Sequence, residues 1–343
     1  MRYICTLLIL LITSSNGVTQ VLKDTSGVIE SAEVKWLSEF PSKDKKQYKK
    51  RNGLIKTLAL IAGISTAGQI QLSKPMSIIA TSPEDIWVLD QGNANLLRVK
   101  ENLGDVPRIF SRNKFIYQSL VGMCSLPDKG ILFTDSRLNK IFFLTNDQKS
   151  VTVLSDSLVL NQPTGIAFYP AGKQIWVVET ASHCITILDE SGKKIRSFGS
   201  RGAGDGEFNF PTSIWIDDKG FAYVVDALNY RIQIFDKDGK FLNKFGEAGD
   251  TAGYFALPKG IATDSYGNIY VTDALFHLVQ IFDKQGNFLH SFGSQGREAE
   301  KFWMPSGIFI DKQNTIYIAD SYNSRIQLFN LANIVKRNAQ GFD

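Results

Sequence analysis

Six acidic side chains recur along this chain at near-constant spacing. They are Asp90, Asp135, Glu179, Asp226, Asp273 and Asp320, separated by 45, 44, 47, 47 and 47 residues. Six carboxylates at one level could hold a hard cation through oxygen ligands. Each, however, closes an apolar run (IWVLD, ILFTD, IWVVE, AYVVD, IYVTD, IYIAD) just before a four-residue turn. A carboxylate there accepts the turn's own amide hydrogens, and Arg231 and Arg325 stand five residues beyond Asp226 and Asp320 as counter-charges. A structural part is expected for all six. His183 and His277 each follow a repeat acid by four residues, and imidazoles from different repeats could converge on zinc. The equivalent positions elsewhere are Ala94, Asn139, Tyr230 and Ser324, so no third imidazole completes a set, and His290 falls on an outer strand. No metal site and no cofactor is expected. The chain also carries no nucleophile motif, phosphate-binding loop or zinc signature. The glycine-rich stretch GSRGAGDGEF recurs in register between repeats and reads as a connection.

The elements that position these residues follow from a second column. About fifteen residues before each acid stand Pro75, Leu120, Pro163, Pro211, Pro258 and Pro305. Two columns keeping step six times define a repeat of about 45 residues. Within it an apolar strand follows the proline, a tight turn such as DDKG leads to the strand ending in the acid, and a third strand (RIQIFDK, LVQIFDK, RIQLFNL) follows the turn. A hairpin then gives a fourth (KFLNKFG, NFLHSFG). Alternation punctuated by Gly, Asp and Asn describes antiparallel hairpins. Four strands per repeat without helices specify propeller blades. The fold class is therefore all-β: a six-bladed β-propeller of four-stranded antiparallel blades. The sixth repeat lacks a fourth strand, and Gly53 to Leu58 is patterned like one, so closure by an N-terminal strand at residues 54–61 is expected, burying exposed edges.

The stretch PxGIxxDxxGxIYVxDxxxxRIQxFDxxGxFxxxFG, fullest over 211–255 and 258–302, resembles the NHL repeat, with the family's Asn-His-Leu region at Asn229-Tyr230-Arg231, Phe276-His277-Leu278 and Ser182-His183-Cys184. The resemblance spans 54–331 and is weakest in the first two repeats. It implies a six-bladed propeller that binds a partner, as in bacterial exported NHL proteins. The zinc-dependent lyase that matures amidated peptides has the same fold and carries zinc histidines directly after the strand-opening proline. Here those positions are Met76, Val121, Thr164, Thr212, Lys259 and Ser306, so that activity is not implied.

Residues 1–17 read as a Sec signal peptide: Arg2, an apolar run from Tyr3 to Ile12, and small residues before a cleavage site near Gly17. The run is shorter than the roughly 20 residues that span a bilayer. The division expected is signal peptide 1–17, extension and linker 18–52, and propeller 53–343, with a periplasmic or secreted mature protein. Of the three cysteines, Cys5 leaves with the signal. Cys124 and Cys184 could form a disulfide in an oxidising compartment but are read as small core residues. The formal net charge of +4 comes largely from Lys43 to Arg51, six basic residues against one Asp, and residues 52–343 are formally neutral. A neutral propeller lacks the basic footprint of nucleic-acid binders.

Loops between second and third strands share a propeller face with the connections between blades. On that face lie the long, varied segments 201–210, 250–255 and 297–303. The candidate binding residues are Arg201, Asn229, Tyr230, Arg231, Tyr254, His277, Arg297, Trp303, Tyr322 and Asn323, rich in types that dominate interface hot spots. Phe208, Phe255 and Phe302 are assigned to packing between blades. The expected function is an exported, non-catalytic, monomeric binding, scaffold or sensor propeller. Its partner is a protein or small extracellular ligand, not nucleic acid, and it does not span the membrane after signal cleavage. The alternative is a calcium- or zinc-dependent lactonase- or lyase-type enzyme with a channel site.

Overall fold

The computed structural model describes residues 11–14, 17–23, 29–41, 71–100, 108–109, 116–148, 150–155 and 157–332. It forms six antiparallel sheets, five of four strands and one extended. Blade 4 is typical, with Pro211–Ile216, Ala222–Asp226, Arg231–Phe235 and Phe241–Phe245 in sequential order. The innermost strands touch in sequence around the ring, and Pro305–Ile310 of blade 6 meets Pro75–Ser82 of blade 1. The chain is a closed six-bladed β-propeller.

Burial explains the sequence pattern. A second strand is covered on both faces by neighbouring blades, so every residue of Ala222–Asp226 and Ile269–Asp273 is buried. Outer strands have one wet face, and Phe241–Phe245 alternates between partly buried and exposed positions. Phe208, Phe255 and Phe302 are fully buried. They pack on Phe235, Phe282 and Phe329 with ring centroids 5.6–5.8 Å apart. Each also lies over the glycine that ends an outer strand (Gly199, Gly246, Gly293; φ +90 to +95°), where a Cβ would collide with the ring.

Ring closure by an N-terminal strand is present, but a different segment supplies it. Ile29–Phe40 pairs with Arg325–Ala332 as the fourth strand of blade 6, and Gly17–Lys23 and Leu11–Ser14 extend that sheet outward. The expectation assigned this edge to 54–61, which lie outside the described residues. Strand 29–40 therefore belongs to the propeller and not to a linker. Its claim rests on specific contacts. Trp36 donates its indole N–H to Gln327 at 3.0 Å. Phe40 enters the core between blades 6 and 1, while Val34 and Trp36 pack on the core between blades 5 and 6. Its ladder shifts register between Leu328 and Phe329, as the outer ladders of blades 4 and 5 do beside Phe235 and Phe282.

Candidate functional site: a clasped face around the channel mouth

The repeat aspartates fasten each blade's own turn and the connection leading into it, and Glu179 holds the connection amide of Asn161 and the third-strand hydroxyl of Thr186. Asp135 accepts the amides of Gln118, Ser119, Arg137 and Leu138 at 2.7–3.1 Å. Asp273 holds the corresponding set, Ala256, Leu257, Leu275 and Phe276. In blades 4 and 6 an arginine joins them. Arg231, 6% exposed, donates to Asp226 at 2.8 Å and to the carbonyls of Ala203, Gly204 and Glu207. Arg325 does the same for Asp320, Arg297, Glu298 and Lys301, and also reaches Glu39 of the closing strand at 2.5 Å. Burial pushes the Asp320 carboxyl up, against the hydrogen bonds from Trp303, Asn323 and Arg325.

The position four residues after each acid is a second clasp. Ala94, Asn139, His183, Tyr230, His277 and Ser324 all take a left-handed backbone, φ +51 to +58°. At Asn139, His183 and His277 the side chain reaches the residue preceding the next blade's innermost strand, and Ser324 donates to the Ser73 carbonyl one residue earlier in that connection. The Gln162 amide donates to Asn139 Oδ1, the Phe210 amide to His183 Nδ1 at 3.1 Å, and the Met304 amide to His277 Nδ1 at 3.1 Å. The two histidines thus join blades. Among the described residues no group of three His, Cys, Asp or Glu side chains is placed to hold a metal.

These clasps sort the candidate binding residues. Arg231, Asn229, His277 and Asn323 are engaged by the protein itself, Asn229 and Asn323 through carbonyls of the connections and their repeat acids. All four serve the framework: carbonyls of a loop some 27 residues earlier take the donors of Asn229, Arg231 and Asn323, while His277 Nδ1 accepts the Met304 amide 27 residues later. Tyr230 is half-buried against the core between blades 4 and 5. Arg201 and Tyr254 are exposed. The rest converge on blade 6: the Arg297 guanidinium lies 5.1 Å from the Trp303 ring, Trp303 is 6.2 Å from Tyr322, and Lys74 of blade 1 sits 5.9 Å over Tyr322. Tyr322 is 54% exposed.

Beside this rim opens the central channel, a cavity of about 630 Å³. In every blade the innermost ladder shifts register just after its opening residue. Such bulges re-aim side chains, and here they set Met76, Val121, Thr164, Thr212, Lys259 and Ser306 along the lining. Glycines follow four of these. A Cβ on Gly165 would lie 2.7 Å from Ser213 Cα, so adjacent innermost strands approach backbone to backbone. The mouth is unevenly tied. Thr180 and Ser321 donate to the carbonyls of Pro211 and Pro75, pairing with the hydroxyls of Thr164 and Ser306. The matching residues of blades 4 and 5 are Ala227 and Ala274, which carry no hydroxyl. Thr212 Oγ1 is consequently buried without a hydrogen-bond partner. Lys259 lies next to it in the ring. Burial pushes its ammonium below the usual lysine range, the nearby Lys74 charge adds to this, and Asp273 opposes it. Farther in, Trp215 and Phe309 meet edge to face at 5.8 Å. Burial pushes the Cys124 thiol up to about 12, so it is no nucleophile near neutral pH. Cys124 and Cys184 are not bonded to each other. Lys74 and Lys259 escaped sequence reasoning, although Lys259 is the one charge in its six-membered column.

The fold and its clasped face define the chain's class, a six-bladed β-propeller with an aromatic and cationic rim at the channel mouth. A profile for a family described as "6-bladed beta-propeller" matches residues 261–338. No curated protein matches the sequence. Among solved structures, an auxiliary nutrient binding protein from Bacteroides thetaiotaomicron superposes with a TM-score of 0.62 at 13% identity, covering 78% of this chain and 71% of its own. Virginiamycin B lyase from Staphylococcus aureus gives 0.57 at 15% identity, over 76% of this chain and 98% of its own. A gluconolactonase from Xanthomonas campestris gives 0.56 at 14%, over 76% and 87%. At such identities the likeness establishes the fold alone.

Proposed function

We propose that this chain is an exported, non-catalytic ligand-binding propeller of NHL type that engages its ligand on the face carrying the connections between blades. The observation that carries the reading is the convergence of Arg297, Trp303, Tyr322 and Lys74 on one face, with Lys74 close to the channel-lining Lys259. The channel's lining among the described residues holds lysine and hydroxyl groups at the Lys259 end, with Asp128 in a hairpin turn as its carboxylate. Such a lining offers binding contacts more than acid–base machinery. Clasped loops give a preorganised face, which lowers the ordering cost of binding. Nutrient binding by the Bacteroides neighbour accords with this reading. Cleavage near Gly17 would remove Leu11–Ser14 and leave the closing strand 29–40 in place. The test is equilibrium dialysis of the purified chain against a native envelope extract, with mass spectrometry of what is retained. Trp303→Ala/Tyr322→Ala should weaken binding of the retained molecule at least tenfold. Tyr266→Ala, in a hairpin turn, should leave it unchanged. Equal retention by all three proteins would refute the choice of face. Stoichiometric calcium or zinc in the purified protein would favour the lactonase- or lyase-type alternative instead.

A further inference from the structure

The channel mouth holds an unbalanced pair of positive charges. Among the described residues neither Lys74 nor Lys259 has a carboxylate within ion-pair distance, and the Lys74 ammonium sits over the Tyr322 ring. The two ammonium groups repel each other, and Lys259 is withdrawn from water. A desolvated charge without a partner is costly. Here it stands next to a second uncompensated group, the Thr212 hydroxyl. Three other blades resolve the same position differently, tying it by hydroxyl or amide to the next blade: Thr180 to Pro211, Ser321 to Pro75, and Gln91 to Leu120. The sector of blades 4 and 5 thus leaves a donor and a cation unused, at equivalent positions of adjacent innermost strands, in a cavity that Ile214, Ile261 and Ile308 also line. Trp215 and Phe309 lie three residues deeper along their strands, roughly 10 Å at about 3.3 Å per residue.

We propose that the channel mouth is a carboxylate-binding site for an organic acid, in which Lys259 and the Thr212 hydroxyl take the two carboxylate oxygens. Lys74 adds a second, longer-range charge, and the apolar body of the acid descends toward Trp215 and Phe309. One ammonium and one hydroxyl match a monoanion with two acceptor oxygens. A phosphate group, with three oxygens and up to two charges, calls for more donors, such as an arginine fork or converging backbone amides. This inference rests on the binding reading of the same face.

The experiment uses the full mature chain at constant ionic strength. Thermal shift and calorimetric titration compare benzoate, phenylacetate, octanoate and glutarate with the neutral amide of each, and with inorganic phosphate. At least one acid should bind while its amide does not. Lys259→Met should weaken that acid at least tenfold, Lys259→Arg should recover part of the loss, and Thr212→Val should fall between. Lys259→Met should melt no lower than the parent, because it removes a half-buried charge that has no ion-pair partner among the described residues. The proposal is overturned if acid and amide act alike, if phosphate binds more tightly than every acid, if no acid binds, or if Lys259→Met responds like the parent. Loss of extract-ligand binding in Trp303→Ala/Tyr322→Ala with no effect of Lys259→Met would sink this proposal and leave the face assignment standing.

Discussion

Deleting residues 29–41 should abolish the folded state. The segment contributes Val34, Trp36 and Phe40 to two cores, and losing one large aromatic from a core typically costs about 3–5 kcal/mol. Two such losses approach the entire stability of an ordinary domain, about 5–15 kcal/mol. The deletion also uncovers the edge of Arg325–Ala332, a template for pairing with another chain. The expected product is aggregated or lacks a cooperative melt by circular dichroism. The milder Trp36→Ala, which removes the indole and its bond to Gln327, should stay folded with a clearly lowered Tm. A deletion variant that melts like the parent would mean that this strand does not close the ring.

Arg325→Ala should be the most damaging single truncation among the clasps. The guanidinium, 3% exposed, binds Asp320, Glu39 and three loop carbonyls, so its removal strips a counter-charge from two carboxylates and donors from the connection at once. Breaking a buried ion pair from one side costs about 3–5 kcal/mol. At about 2–4 °C per kcal/mol for domains of this size class, Tm should fall by roughly 10 °C. Arg231→Ala should cost less, because Arg231 holds the same kinds of partner in blade 4 but has no link to a closing strand. Equal losses at the two sites, measured by denaturant unfolding, would show that the Glu39 contact adds nothing.

The six blades were legible because two columns, the acids and the strand-opening residues (proline in five repeats, Leu120 in the other), keep step in every repeat. The phenylalanines were placed by the same logic, since their register with the outer-strand glycines is itself periodic. The closing strand was misplaced for a physical reason. KWLSEF at 35–40 matches KFLNKF at 240–245 closely, but Pro41 stands where the outer strands have glycine, and the segment lies far from the first repeat. Alternation alone could not choose between it and 54–61. What decides is tertiary: the socket for Trp36 beside Gln327 and the reach of Arg325 to Glu39. Residue type alone likewise does not show the framework role of Arg231 and His277. Both belong to classes common in interfaces, yet their donors and acceptors are consumed by backbone groups from a preceding or following connection. Exposure, and with it the rim of Arg297, Trp303, Tyr322 and Lys74, emerges only when blades 6 and 1 are brought together. Lys259 was visible as an irregularity in its column, but its isolation depends on the alanines at 227 and 274, which local reading treats as unremarkable turn residues.

The proposed seat of the ligand is the clasped face at the channel mouth. Amide hydrogen exchange, with and without the molecule retained in dialysis, tests it most directly. Slower exchange is expected in 297–303, 321–324, 73–76 and 258–260, with unchanged exchange in the hairpin turns 217–220, 264–268 and 311–314 on the opposite face. Protection confined to those turns, with the channel-mouth segments unaffected, would contradict it.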